Sequence, residues 1–180
     1  AEVIIAAKNN SKDEIKYEIL RNSLLVTFIL LAVFFLVITI FPRFFTVLLF
    51  GDRKFQYLLY PISIFLQGTI LNGLAYSYFR GLDRFRIANC MQLINLIILP
   101  IVVILLFSKS AVSYLTIYGS LLSFLSLAFM IKHIFGKSDN LFNLQVLIDV
   151  TIYSLKRLPG DIALQLMLVM PPILTAHMLD

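Results

Sequence analysis

Charged side chains are scarce in this chain, and cysteine is nearly absent. Asp, Glu, Lys and Arg make up 14% of the 180 residues while 60% are hydrophobic, against about 25% charged and 45–50% apolar in a soluble domain. Mean hydropathy is +0.93. So little polar surface excludes an ordinary water-soluble fold. Cys90 is the single cysteine, which excludes an internal disulfide and a thiolate metal cluster, and it reads as a small apolar helix residue. His133 and His177 lie far apart in the sequence. No HExxH, GxSxG or Walker pattern occurs, and no two carboxylates share a helical face within an apolar run. From these absences we expect no enzyme, no metal and no cofactor. The net charge of +5 does not signal nucleic acid, because the cations stand at the ends of apolar runs, where membrane topology places them.

What is present is a series of apolar runs. A cleaved signal peptide supplies one short run near the N-terminus; here there are five, at 23–41, 57–79, 87–107, 112–131 and from near Pro159 to the end. About 20 residues at 1.5 Å each cross a hydrocarbon core near 30 Å, so the expected fold is an all-α polytopic membrane protein with about five transmembrane helices. Residues 11–21 suit a separate short surface helix, with Ser11 as cap and Glu14 three residues on. The aromatic stretch 42–56 fits an interfacial connection. Since the chain opens on Ala1 and closes within an apolar run, we expect an internal stretch of a longer membrane protein.

The Lys and Arg residues set an expected orientation. Eleven of the 15 (Lys8, Lys12, Lys16, Arg21, Arg80, Arg84, Arg86, Lys132, Lys137, Lys156 and Arg157) fall in segments 1–22, 80–86 and 132–157. The remaining four (Arg43, Arg53, Lys54 and Lys109) fall in 42–56 and 108–110. The positive-inside bias assigns the first set to the cytoplasm.

Small and polar residues inside such spans mark helix contacts or wet cavities. Gly68, Asn72 and Ala75 share one face, and Ser113, Thr116, Ser120 and Ser123 another; both read as close packing. Asn89, Gln92 and Asn95 fall within about 120° on the third helix. Three amides there either knit neighbouring helices or line a cavity. In the last run Asp161 stands in the first turn after Pro159, where a helix dipole favours an anion. Gln165 follows, and Pro171–Pro172 bends the helix at a depth where freed backbone groups need protein or water. Bent, partly wet helices of this kind switch access in transporters.

Two stretches carry a resemblance. "SYFRGLDRFRIANCMQLINLIILP" (77–100) and "SLKRLPGDIALQLMLVMPPILTAHML" (154–179) resemble bacterial lipid-linked oligosaccharide flippases, the O-antigen and polysaccharide exporters of the multidrug/oligosaccharidyl-lipid/polysaccharide superfamily. The matching features are the basic-aromatic loop after the fourth family helix and the Arg-x-Pro-Gly-Asp opening of the seventh. Their spacing extends the resemblance over the whole chain. It implies helices three to seven of a protein with twelve to fourteen, arranged as two six-helix lobes around a cavity. Residues 1–22 would then be a cytoplasmic polar segment and 23–131 the rest of the first lobe. Residues 132–153 would be the cytoplasmic link between lobes, and 154–180 the first helix of the second.

The resemblance further implies a multi-pass protein of the bacterial inner membrane. Its task would be flipping an undecaprenyl-pyrophosphate-linked oligosaccharide by alternating access, for surface polysaccharide biosynthesis. Arg80, Arg84, Arg86, Lys156 and Arg157 would attract the pyrophosphate, although positive-inside topology also accounts for them. Asn89, Gln92, Asn95, Asp161 and Gln165 would line the cavity, and Pro171–Pro172 would form a hinge. Membrane lipid, the lipid-linked sugar and a coupling Na⁺ or H⁺ would be its partners. Rival readings are a multidrug or cation antiporter of the same superfamily, a membrane-embedded polysaccharide polymerase or ligase, and a purely structural membrane subunit.

Overall fold

The computed structural model describes residues 13–107 and 110–134, together with residues 148, 151, 152 and 156. Through residue 134 the order is α1 (Asp13–Ile40), α2 (Pro42–Phe50), a 3-10 turn (Arg53–Leu58), α3 (Leu59–Gly81), α4 (Phe85–Leu93), a π-helical turn (Ile94–Ile98), α5 (Leu99–Phe107) and α6 (Ala111–Ile134). The fold is all-helical among the described residues. Because α4, the π turn and α5 are continuous, they form one rod. Four stretches are long and apolar enough to cross a membrane: Tyr17–Ile40, Arg53–Gly81, Phe85–Phe107 and Ala111–Ile131. At 1.5 Å per residue each reaches the thickness of a bilayer core. The run beginning near Pro159 lies outside the described residues.

The first helix differs from expectation. No break separates a surface helix from the first span; α1 runs unbroken through residues 22 and 23. Neither glycine nor proline interrupts that stretch. Asn22 turns its amide back onto the Glu18 carbonyl at 2.9 Å, and Ile19, Leu20 and Leu24 are buried. Apolar packing on both sides of the expected boundary makes one helix. It stops at Ile40 because Phe41 precedes Pro42 and leaves the helical region, at φ −119°. Pro42 then begins α2, where its missing N–H costs nothing. Gly51 ends α2 in the left-handed region at φ 75° and donates its N–H to Val47, the conformation glycine adopts most readily. Asp52 caps the 3-10 turn by accepting the Lys54 N–H at 3.0 Å.

Helices α3 and α6 form the tightest crossing. A Cβ on Gly68 would stand 2.6 Å from the Gly119 carbonyl oxygen, and one on Gly119 would stand 2.6 Å from both Cα and N of Phe65. Only glycine at both positions lets the backbones approach this closely, the usual device of helices packed in lipid. This crossing corrects the expected serine stripe. The buried face of α6 carries Tyr118, Gly119, Leu122, Ser126 and Met130, while Ser120 is exposed. Thr116 and Ser123 bond the carbonyls of Val112 and Gly119 on their own helix.

Between α3 and the rod the chain reverses in a Schellman turn. Arg84 donates its N–H to Phe79 at 2.9 Å and Asp83 to Arg80 at 3.0 Å, satisfying carbonyls that the helix end would otherwise strand. Asp83 occupies the left-handed position at φ 57°, which Asp tolerates better than most side chains.

The interior divides into two apolar clusters. At the basic-loop end, Ile19, Leu20 and Leu24 of α1 meet Leu71, Ala75, Tyr78 and Phe79 of α3, Ala88 and Met91 of α4, and Met130 of α6. At the other end Leu99 and Val103 of α5 meet Tyr118 and Leu122 of α6, with Phe65 against them. Outward faces are apolar as well: Leu105, Leu106 and Phe124 are 75%, 69% and 69% exposed. Surface of this kind suits hydrocarbon rather than water.

Candidate functional site

Between the two apolar clusters lies a layer of polar side chains. Along α3 it falls at Asn72, next to Leu71; along the rod at Asn95, between Met91 and Leu99; along α6 at Ser126, between Leu122 and Met130. Asn72, Asn95 and Ser126 are all buried. Asn95 donates its side-chain amide to the Asn72 Oδ1 at 2.8 Å and reaches the Ser126 Oγ at 3.5 Å. Asn72 in turn points its own amide at the Gln92 Oε1, also at 3.5 Å. The short bond joins α3 to the middle of the rod, and the longer contacts bring in α6 and the next turn of α4.

The π turn belongs to this layer. Pro100 has no N–H to give. In ordinary α pairing it would stand opposite the Leu96 carbonyl, on an exposed residue, where hydrocarbon offers no replacement donor. In the pairing observed, Leu99 donates to Ile94, so Pro100 stands opposite Asn95 instead. The Asn95 carbonyl has thereby lost both its helical donors, and the Tyr118 hydroxyl supplies one from α6 at 3.0 Å. Widening the helix by one residue moves the gap that Pro100 creates from the outer face to the interior, where a partner waits. π turns of this sort recur at functional positions. One atom is left over: the side-chain Oδ1 of Asn95, buried, has no hydrogen-bond partner among the described residues.

The candidate residues fall in different places. Asn95 and Gln92 enter the layer; Asn89 of the same helix is exposed and stands apart from it. Arg84 and Arg86 are exposed at the start of α4, while Arg80 is half-buried with its guanidinium 5.4 Å from the centre of the Tyr76 ring. Lys156 is exposed. Arg157, Asp161, Gln165, Pro171 and Pro172 lie outside the described residues. Sequence reasoning missed Tyr118 and Ser126 as members of the layer, and it assigned Asn72 to packing alone. Pro100 inside an apolar run was the available sign that some carbonyl needed an outside donor.

Two further features complete the surroundings. An apolar crevice of about 250 Å³ opens between α1 and α3, lined by Thr27, Leu30, Leu31, Phe34, Leu66 and Ile70. The Thr27 hydroxyl is already bonded to the Ser23 carbonyl at 2.8 Å, so the crevice presents an apolar wall. No group of three or more His, Cys, Asp or Glu side chains that could hold a metal occurs among the described residues. Compared with known proteins, the chain matches no family model, no curated protein and no solved structure.

Proposed function

We propose that this chain is part of a multi-pass transporter of the bacterial inner membrane that moves an undecaprenyl-pyrophosphate-linked oligosaccharide from the cytoplasmic to the outer leaflet. The resemblance of segments 77–100 and 154–179 to the flippase family supplies the substrate class. The observation that carries the reading is the basic loop between α3 and α4. There the Schellman turn holds Arg84 at the mouth of two apolar rods, with Arg86 in the first turn of α4, and both are exposed. A pyrophosphate is rejected by hydrocarbon and attracted by guanidinium groups, so cations at the end of a membrane bundle are where its passage would begin. Arg80, stacked on Tyr76, would hold the third positive charge close to the bundle. Asn89 and Gln92, on the outward and half-buried sides of α4, would meet sugar hydroxyls. Asn95 and Asn72 would hold the helices in place.

The test is transport by the full-length protein in vesicles carrying an undecaprenyl-pyrophosphate oligosaccharide, read by the accessibility of the sugar to an external lectin. We expect movement with the native protein and at least a tenfold slower rate in Arg84→Ala/Arg86→Ala, with equal amounts inserted. Native protein that moves no sugar lipid, or a double variant that moves it at the native rate, would refute the assignment.

A further inference from the structure

The rod formed by α4, the π turn and α5 contains a choice that its sequence leaves open. Pro100 always leaves one carbonyl without a helical donor, and two pairings decide which one. In the π pairing it is Asn95, which faces inward and accepts from the Tyr118 hydroxyl. In the α pairing Leu99 would return to Asn95, and the gap would pass to Leu96 on the exposed side. The two differ by one residue, about 100° around the helix axis. Changing from one to the other therefore turns α4, with Arg86 and Asn89, relative to α5.

We propose that residues 85–107 are a two-state hinge and that the Tyr118 hydroxyl is its latch. While Tyr118 bonds the Asn95 carbonyl the rod keeps its π turn. When that bond opens, Leu99 re-pairs with Asn95 and the rod becomes a continuous α-helix. Three observations converge on this position. The turn lies near the middle of a span, where a bend has most leverage. Its one stranded carbonyl is held by a side chain from another helix rather than by its own. The Asn95 side chain carries a buried oxygen with no hydrogen-bond partner among the described residues, so the local arrangement does not use all its hydrogen-bonding capacity. Bistable packing of this kind is what switching elements require. The inference does not depend on the identity of any cargo.

The experiment places spin labels on either side of the turn, at Cys90 and at Ile104→Cys, both exposed and about 21 Å apart along the rod at 1.5 Å per residue. Distances are measured by electron double resonance in the full-length protein in lipid nanodiscs. With Tyr118 intact we expect one dominant distance. Tyr118→Phe removes only the hydroxyl and should displace the main population by several ångströms. Pro100→Ala, which restores a donor to Leu96, should produce the same displaced population with Tyr118 present. A Tyr118→Phe protein that folds and keeps the native distance would overturn the latch. Should Tyr118→Phe fail to fold, Pro100→Ala decides: the native distance there overturns the two-state rod, and the displaced distance supports it.

Discussion

Asn95 donates to Asn72 across 2.8 Å between α3 and the middle of the rod, with apolar clusters on both sides. In a bundle whose surroundings are as apolar as its own side chains, burial of hydrocarbon cannot hold helices together, and such a bond acts as glue. A membrane hydrogen bond is worth about 0.6 kcal/mol on average and up to roughly 1.7 kcal/mol, whereas a stranded buried amide costs about 1–3 kcal/mol. Breaking one partner should therefore hurt more than removing both. Asn72→Leu and Asn95→Leu singly should each lower stability by about 1–3 kcal/mol. The double variant should lose less than the sum of the two. Unfolding in mixed detergent across the double-mutant cycle measures the coupling; strictly additive losses would show that the pair is not a unit.

The glycine crossing permits a sharper comparison. A Cβ at Gly119 would press on backbone atoms of Phe65 at 2.6 Å, which cannot rotate away, while a Cβ at Gly73 meets nothing within 4 Å. Gly119→Ala should destabilise by roughly 1–3 kcal/mol, the usual cost of overpacking. Gly73→Ala should be neutral or stabilising by about 0.5–1 kcal/mol, because alanine loses less backbone freedom in a helix. Thermal unfolding followed by size-exclusion chromatography separates them, and equal effects would contradict the close approach of α3 and α6.

Asp52, in the connection outside the apolar spans, has its carboxyl held below the ordinary carboxylate range. The Lys54 backbone N–H is the main cause, followed by its side chain, whose Nζ lies 3.0 Å from Oδ2. A depressed folded value means that the cap's contribution is complete above the unfolded carboxylate value of about 3.9. It fades as pH falls through the lower folded value. An NMR titration of the Asp52 carboxyl should find its midpoint below that ordinary value. Lys54→Met should leave most of the depression, since the backbone donor survives. A midpoint in Lys54→Met restored to the ordinary value would transfer the effect to the ammonium.

Asp83 closes the Schellman turn in the left-handed region. A β-branched residue is strained there, so Asp83→Val should cost about 1–2 kcal/mol and loosen the loop that carries Arg84. Asp83→Asn, which tolerates the same backbone, should be close to native. Protease sensitivity of the 80–86 loop compares the two; equal cleavage would remove the strain argument.

Much of this architecture is written along the chain. Runs of apolar residues need about 20 positions to cross hydrocarbon, and Pro42 and the 80–86 loop end them, so the four described spans follow from length and hydropathy alone. The boundary at residue 22 did not follow, because charge at Lys16, Glu18 and Arg21 says nothing about where a helix stops when Ile19 and Leu20 have a core to enter. Nor did the buried face of α6. Several serine and threonine positions there look equivalent in sequence, and only the contact of Gly68 with Gly119 selects the side that turns inward. Once that crossing is set, Tyr118 arrives opposite the gap that Pro100 makes and Asn72 arrives opposite Asn95. Hydropathy is a property of each segment by itself. Which amide meets which, and which carbonyl a proline leaves open, is decided only when helices approach closely enough for one to supply the hydrogen bond that another lacks.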